Sequence, residues 1–453
     1  MAQRDDNRHD LHGMSLVVGM GATGLSCAQF LARQGATFAI TDQQRHPATL
    51  EQVSRLLPAS RIMTGGFERR AFLDCQRLIV SPGVPLDTPE IAAARAQGIE
   101  IIGDIELFAR HARRPVIAIT GSNGKSTVTA LLTEMARCAG VKAAMGGNIG
   151  IPALDLLQDA ATELYVLELS SFQLETTSSL DAVAAVVLNL SPDHLDRHPD
   201  MDSYLQAKLR VYAGHGVMVV NRDEPAMRGH ISPGRSVISF GLQPPPGPDD
   251  FGLVDGDDGA QLVRGDQRLM AARALPIKGR HNAANVLAAL ALGSAAGLSL
   301  QGMLEGLQGF RGLPHRMAFV AEHNGVQWFN DSKGTNVGAT AAALAGLDGW
   351  VVLIAGGLGK GADFSLLRTA LSGKGRAAVL IGRDAALIAQ AIDGVVPVVH
   401  ASDMRDAVAR AATLAQRGDT VLLSPACASF DMFSGYADRG ETYVREVRRL
   451  LAC

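Results

Sequence analysis

Short apolar runs that end in glycine or a polar residue recur along the chain, most of them followed by a stretch with helical spacing. In the first hundred residues Leu16–Val18, Thr37–Thr41, Leu78–Val80 and Ile99–Ile102 read as strands. Helices are predicted from the glycine turn after Val18 through Gln34, and over Ile91–Gln97. The pattern restarts after Arg114-Pro115 with the strand Val116–Thr120, a glycine turn and a helix over Lys125–Cys138. Leu164–Leu169 and Ala184–Asn189 are further strands, and the alanine-rich Asn282–Leu298 reads as a helix. Gly241–Gly259, with Pro244-Pro245-Pro246 and Asp249, Asp250, Asp255, Asp257 and Asp258, reads as a solvated loop or hairpin region. A third unit follows Phe310–Pro314, with strands at Val326–Phe329, Trp350–Ala355, Ala377–Ile381 and Thr420–Leu423. Strand–helix alternation of this kind predicts α/β units with parallel sheets. No solenoid repeat is present.

The length of 453 residues agrees with three units at roughly 150 residues per domain. The predicted boundaries give units at 1–113, 114–312 and 313–453, with 1–13 as a flexible tail. Aromatics at 5% and 49 glycines favour tightly turned α/β architecture. Lys and Arg total 42 against 45 Asp and Glu, a net charge of −3. Bulk electrostatics therefore gives no affinity for nucleic acid, and any phosphate must be held locally. No apolar run reaches the roughly 18 residues of a membrane span, so no membrane insertion is expected. The polar Met1–His12 is no signal peptide. Cys27, Cys75, Cys138, Cys427 and Cys453 are scattered without CxxC spacing, which suits a reducing cytoplasm.

Two glycine loops carry the first chemical signal. Gly19-Met20-Gly21-Ala22-Thr23-Gly24 is a full G-x-G-x-x-G between strand and helix, with Asp42 at the end of the next strand. Small residues let the backbone approach a pyrophosphate, and the carboxylate can bind a ribose or base edge. Alone, this loop leaves an NAD-dependent oxidoreductase open. Gly121-Ser122-Asn123-Gly124-Lys125-Ser126-Thr127 follows the strand Val116–Thr120. It departs from the longer phosphate-loop frame at its first position. Its backbone N–H groups can still cradle phosphate, Lys125 can reach the outer phosphates, and Ser126 or Thr127 can ligate Mg²⁺. A non-catalytic nucleotide-gated binding protein also fits this second loop. The two loops together point to ATP activating a substrate that itself carries a nucleotide handle.

Acid–base and metal candidates lie after other strands. Glu168 ends a buried-looking strand, where a carboxylate can hold Mg²⁺ for phosphoryl transfer. His194 and His198 sit four apart in the cluster Asn189–His198, but no further ligand set accompanies them, so a zinc site is rejected. On pattern alone Lys208 is a solvated helix lysine. Asn330–Asn336, Gly356–Lys360 and Ser424–Asp431 all follow strands and could share one crevice, where Lys360 could bind a carboxylate. Cys427 has no partnered histidine and reads as a buried small residue.

Specific strings then carry a resemblance. They are Thr120–Thr127, Gly146–Gly150, Leu167–Glu175, Lys208-Leu209-Arg210, Gly279–Asn285, Leu313–Arg316, Asn330–Asn336 and Leu423–Asp431. The chain resembles the Mur ligase family from about Leu16 to about Leu450, and the last three strings resemble its glutamate-adding members. The resemblance implies a Rossmann-like N-terminal domain, a central phosphate-loop ATPase-like domain and a Rossmann-like C-terminal domain. It implies ATP-dependent addition of D-glutamate to UDP-N-acetylmuramoyl-L-alanine through an acyl phosphate, in peptidoglycan precursor synthesis, by a monomer. Another acidic amino acid such as L-glutamate is the alternative.

By the same resemblance Thr23, Asp42, Ser81, Pro82, Gly83 and Asn148 contact the nucleotide-sugar. Gly121, Ser122, Asn123, Gly124, Lys125, Ser126, Thr127, Asn282, Asn285, Arg316 and Asp331 contact ATP. Ser126, Glu168 and His194 hold two Mg²⁺ ions, and Lys208 stands at the position that the family carbamylates, as a further metal ligand when carbamylated. Thr335, Lys360 and Ser429 hold the glutamate carboxylates, with Phe430 and Tyr436 nearby. Gln43-Gln44 and Leu358 depart from the family's usual Thr-Arg and Asp. Arg311–Pro314 is the hinge candidate.

Overall fold

The computed structural model describes residues 11–194, 197–227, 229–231, 234–256, 259–277 and 279–451. Residues 1–10 of the expected tail, Leu195 and Asp196 of the histidine cluster, Asp257, Asp258 and Cys453 lie outside them. Leu11, placed in that tail by the sequence, is instead buried with Leu16 and Val80 in the first core.

Each predicted unit is built on its own sheet. The first is parallel throughout, in the order Ile62–Thr64, Phe38–Asp42, Ser15–Val18, Arg77–Val80, Glu100–Ile102. Its order reverses beside Ser15–Val18. The glycine loop therefore leaves the sheet where open α/β sheets form their ligand crevice.

The second sheet has parallel pairing from Ala143–Gly147 through Leu164–Glu168, Val116–Thr120, Ala184–Val187, Val217–Asn221 and Val237–Phe240 to Phe251–Val254. Gln261–Arg264 and Gln267–Ala271 then add antiparallel strands at the edge. The hairpin reading of Gly241–Gly259 is thus the one realised: Phe251–Val254 is a sheet strand, and Phe251 is fully buried. The helices Lys125–Cys138, Arg280–Ala295 and Leu300–Gly309 cover one face with a core of small aliphatic residues.

The third sheet runs Ala318–His323, Val326–Asn330, Thr420–Leu423, Val351–Gly356, Gly375–Ile381, Val398–His400. Only its first pair is antiparallel. Strands buried on both faces need apolar residues at every position. Val351–Gly356 meets that condition and Thr420–Leu423 does so after Thr420, which is why their runs were readable as strands.

The first two units are pinned together by buried polar groups. Glu106 accepts bonds from Ser178 N (2.7 Å), Ser179 N (2.9 Å), Ser179 Oγ (2.8 Å) and Arg110 Nε (2.9 Å). Burial alone would raise its carboxyl, but these donors outweigh burial and bring it down to about 2. A depressed carboxyl contributes stability that is complete above its unfolded pKa near 4.5 and is lost as pH falls through about 2. Glu106→Gln is therefore expected to lose about 2–3 kcal/mol at pH 7, with the gap to wild type narrowing below pH 4.5 in urea titrations. A gap that is constant across that window would contradict the assignment. Nearby, Gln173 Nε2 donates to Asp104 Oδ2 at 2.9 Å, and burial pushes Asp104 up to about 6.

Candidate active site

The first glycine loop folds as its motif requires. A Cβ on Gly24 would lie 1.8 Å from the carbonyl oxygen of Gly19, so the helix starts against the turn only because residue 24 has no side chain. Asp42 accepts from Met20 N at 2.6 Å through one oxygen and from Gln44 N at 2.8 Å through the other. Ser81 Oγ reaches Gly19 O at 3.4 Å. Thr23, Asp42, Ser81, Pro82 and Gly83 thus stand around neighbouring strand ends of one sheet. Asn148 behaves differently from the other residues of that set. It lies on the second unit, where its Nδ2 donates to Glu168 Oε1 at 2.9 Å.

The second loop is fixed to the segment after Ala184–Val187. Asn123 N donates to Asn189 Oδ1 (2.8 Å), Asn189 Nδ2 donates to Asn123 O (3.0 Å), and Ser122 Oγ donates to Ser191 O (3.0 Å). Lys125 folds back over its own loop and donates to Gly121 O (2.8 Å) and Ser122 O (2.9 Å). Burial lowers its pKa, opposed by Glu168. Gly124 packs beside Asn285, which donates to Asn282 Oδ1 at 3.1 Å.

Lys208 corrects the reading from pattern alone. It is 1% exposed. The helix Met201–Leu209 lays Tyr204, Leu205, Ala207 and Lys208 against the core. The ammonium lies 4.3 Å from the centroid of the Tyr204 ring, and it donates to Gly121 O at 3.0 Å. Burial, and then the Lys125 charge, push it well below the ordinary lysine range, against the pull of Asp193 and Glu168. A polar neighbourhood in sequence concealed a burial that only the tertiary packing creates.

Glu168 is 3% exposed, and its Oε2 is buried without a hydrogen-bond partner. A bare anionic oxygen of this kind suits a cation. His194 has φ 57°, and its backbone N–H donates to Asp193 Oδ1 at 3.0 Å. Burial lowers its pKa; Asp193 opposes this, and Lys360, Lys125 and Lys208 add to the lowering. His198 is oriented elsewhere, stacked on Phe172 with its Nε2 2.9 Å from Ser171 Oγ. Among the described residues no three His, Cys, Asp or Glu side chains form a metal-holding group.

The third unit brings its residues to the same place. Arg316 Nη2 donates to Ser126 Oγ at 2.7 Å. Asp331 accepts from Ser424 Oγ at 2.7 Å, and burial raises it to about 6. Lys333 lies within the Asn330–Asn336 string, and the sequence assigns it no role. Its ammonium stands 3.9 Å from the centroid of the Tyr436 ring, and burial followed by the Arg316 charge brings it down to about 8. Arg439 was also missed. It is buried and ties Ser332 to Cys427 through bonds to Ser332 Oγ, Ser332 O and Cys427 O. Nothing in its amphipathic helix marks it; the signal lies in what it meets across the fold.

Lys360, at φ 52°, and Phe430, 69% exposed, lie on the open side, while Ser429 is buried. Leu358 pairs through its backbone with Ala428, so that position needs no polar side chain to hold the loop. Cys427 is buried, which raises its thiol to about 12 and removes it as a nucleophile.

A phosphate loop, an unpaired carboxylate oxygen, a buried lysine and a facing set of cations from the third unit define the class of enzymes that use a nucleoside triphosphate. Comparison with known proteins narrows that class. Residues 14–103 match the family model "Mur ligase MurD-like, N-terminal domain", 119–293 the "Mur ligase middle domain" and 315–427 the "Mur ligase, glutamate ligase domain". The UDP-N-acetylmuramoylalanine–D-glutamate ligase of Nitrosococcus oceani is 52% identical over 97% of both chains. That of Thiobacillus denitrificans is 50% identical over 96% of both. Among solved structures, MurF of Thermotoga maritima in complex with ADP superposes with a TM-score of 0.61 at 16% identity, over 98% of this chain and 97% of that one. MurC of the same organism gives 0.59 at 16% identity, over 97% and 100%. The chain belongs to the Mur ligase family. It is a ligase of that family and uses ATP. No helix among the described residues is long and apolar enough to cross a membrane.

Proposed function

We propose that the chain joins D-glutamate to UDP-N-acetylmuramoyl-L-alanine with conversion of ATP to ADP and phosphate, a step of peptidoglycan precursor synthesis. The observation that carries the reading is the meeting of the Lys125 loop, Glu168 and Lys208 with Arg316 and Asp331 of the third unit. The substrate pair is supported by full-length relatives of that name at about 50% identity.

A carboxylate does not acylate an amine at neutral pH, because its oxygen is a poor leaving group. The L-alanine carboxylate attacks the γ-phosphorus of ATP; the bond to ADP breaks and an acyl phosphate forms. The glutamate amine then attacks the acyl carbon, phosphate leaves, and the new amide nitrogen loses a proton. Both reactants are anionic, so the chain's own cations must reduce their repulsion. Lys125 and Arg316 bind the phosphates, and Lys333, partly neutral near pH 8, adds charge beside them. Asn282, Asn285 and Asp331 position the nucleotide. Thr335, Lys360 and Ser429 hold the amino-acid carboxylates, with Phe430 and Tyr436 as neighbours. Thr23, Asp42, Ser81, Pro82, Gly83 and Asn148 serve the nucleotide-sugar.

The unpartnered Oε2 of Glu168 suits Mg²⁺, which takes few protein carboxylates and completes its shell with water and substrate phosphates. Ser126, Glu168 and His194 would hold two such ions, and the ions would neutralise phosphate charge. Lys208, an amine whose pKa is lowered by burial, is the group to carry a carbamate. Proximity can supply roughly 7–11 kcal/mol of a barrier of this type, provided the third unit stays closed over the other two.

The test is phosphate release with UDP-N-acetylmuramoyl-L-alanine and, in separate reactions, D-glutamate, L-glutamate and D-aspartate. Release that requires both substrates and prefers D-glutamate by at least about tenfold (about 1.4 kcal/mol) is expected. Full-rate release with either substrate omitted, or equal use of L-glutamate, would refute the reading.

A further inference from the structure

Asn336 is the N-cap of the helix Val337–Ala345, and its Oδ1 accepts from Ala339 N at 2.8 Å. That bond fixes the amide's orientation and turns the NH₂ group out of the third unit. Its two protons then go to the second unit: one to Asn123 Oδ1 at 3.2 Å, in the phosphate loop, and one to Asp193 Oδ2 at 3.1 Å. Asn123 passes the contact on through its Nδ2 to Ser191 Oγ at 3.1 Å. Asp193 holds the backbone of His194 with its other oxygen.

Gly338, two residues on, gives an independent sign of the same fit. A Cβ there would lie 3.0 Å from Ser191 Oγ and 3.2 Å from Ser191 Cβ, so any side chain at 338 would press Ser191 aside by a few tenths of an ångström. Neither residue carries a charge or a nucleophile, and neither spacing nor composition marks them.

We propose that Asn336 is a positioning residue, a clasp that registers closure of the third unit directly on the phosphate loop and on the Asp193–His194 pair. The proposal rests on the cleft being the ATP and ligation site. Closure and the alignment of His194 are then one event, because the same amide group makes both contacts. Asn336→Ser separates clasp from cap. Serine caps a helix about as well as asparagine, yet its hydroxyl lacks the second donor and the reach. Gly338→Ala tests the seat: it favours the helix by itself while crowding the contact with Ser191.

Asn336→Ser is expected to keep the thermal midpoint within about 2 °C of wild type, leave the ATP dissociation constant within about threefold, and lower kcat by roughly 10–100-fold with a raised KM for the amino acid. Gly338→Ala is expected to lower kcat similarly with an unchanged or higher midpoint. Spin labels on the exposed Arg273 and Leu387 should show the ATP-bound closed distance depleted in both variants. Adding Asp193→Asn to Asn336→Ser should reduce activity by clearly less than the product of the two separate effects, because both act on one contact. Wild-type kcat and KM in both variants would overturn the clasp while leaving the ligase reading intact. Should the wild type release no phosphate with any substrate set, the ligase reading fails, and an unaltered closed distance in the variants then overturns the clasp as well.

Discussion

Lys125→Ala is expected to reduce turnover by at least about 10³-fold, equivalent to about 4 kcal/mol of transition-state stabilisation. The ammonium is half-buried at the start of the helix Lys125–Cys138 and is held over Gly121 O and Ser122 O, where the phosphates of ATP must enter. Burial disfavours its charge and Arg316 adds to that, with Glu168 opposing. Bound phosphate is the partner this charge lacks, and the developing negative charge at the γ-phosphoryl group is where it acts most. Lys125→Met, which keeps most of the packed volume, separates the loss of charge from the loss of packing. Both variants should unfold within a few degrees of wild type, and near-normal phosphate release by either one would remove Lys125 from its role.

Lys208→Met is expected to lose at least about 100-fold in kcat, close to 3 kcal/mol, although the residue touches neither surface nor solvent. An amine adds CO₂ only when neutral: the nitrogen lone pair bonds to carbon, and a proton leaves to give a carbamate anion. Burial beside Lys125 shifts the balance toward that neutral amine. The carbamate would turn a cation crowded by Lys125 into an anion attracted to it. With ¹³C-bicarbonate, active wild type should show one carbamate carbon signal that Lys208→Met lacks. Lys208→Glu restores an anion without CO₂ and should recover part of the activity. Full activity in CO₂-depleted buffer, together with an unmodified intact mass, would exclude the carbamate.

These two lysines show where sequence reading succeeds and where it stops. Lys125 was legible because a phosphate loop is local: the strand, the turn and the helix start all lie within a dozen residues. Glu168 stands at the end of an apolar run, but that pattern fits a paired or exposed carboxylate as well, and its bare Oε2 is visible only in the structure. Lys208 was not, because its burial is set by the Gly121 carbonyl, 87 positions away in the chain. Arg439 and Asn336 likewise owe their importance to partners that sequence distance hides. At the level of the fold, strands buried on both faces announced themselves, whereas Gln261–Arg264 and Gln267–Ala271 did not. Those edge strands carry arginine and glutamine on their exposed side, so no apolar run marks them. Lys208 became a candidate only through the Mur ligase resemblance, which supplies what composition and spacing cannot.

Lys125, Lys333, Arg316 and Lys360 face Glu168, Asp193 and Asp331 in a chain whose total charge is −3. Any small molecule that displaces the natural ligands from this cleft must therefore bring anionic groups of its own. Such groups are held back by the hydrocarbon layer of a membrane. Affinity for the cleft and entry into a cell thus pull a competitor's chemistry in opposite directions. The surface where Gly338 meets Ser191 is lined by hydroxyl, amide and backbone atoms, and it sets no such conflict.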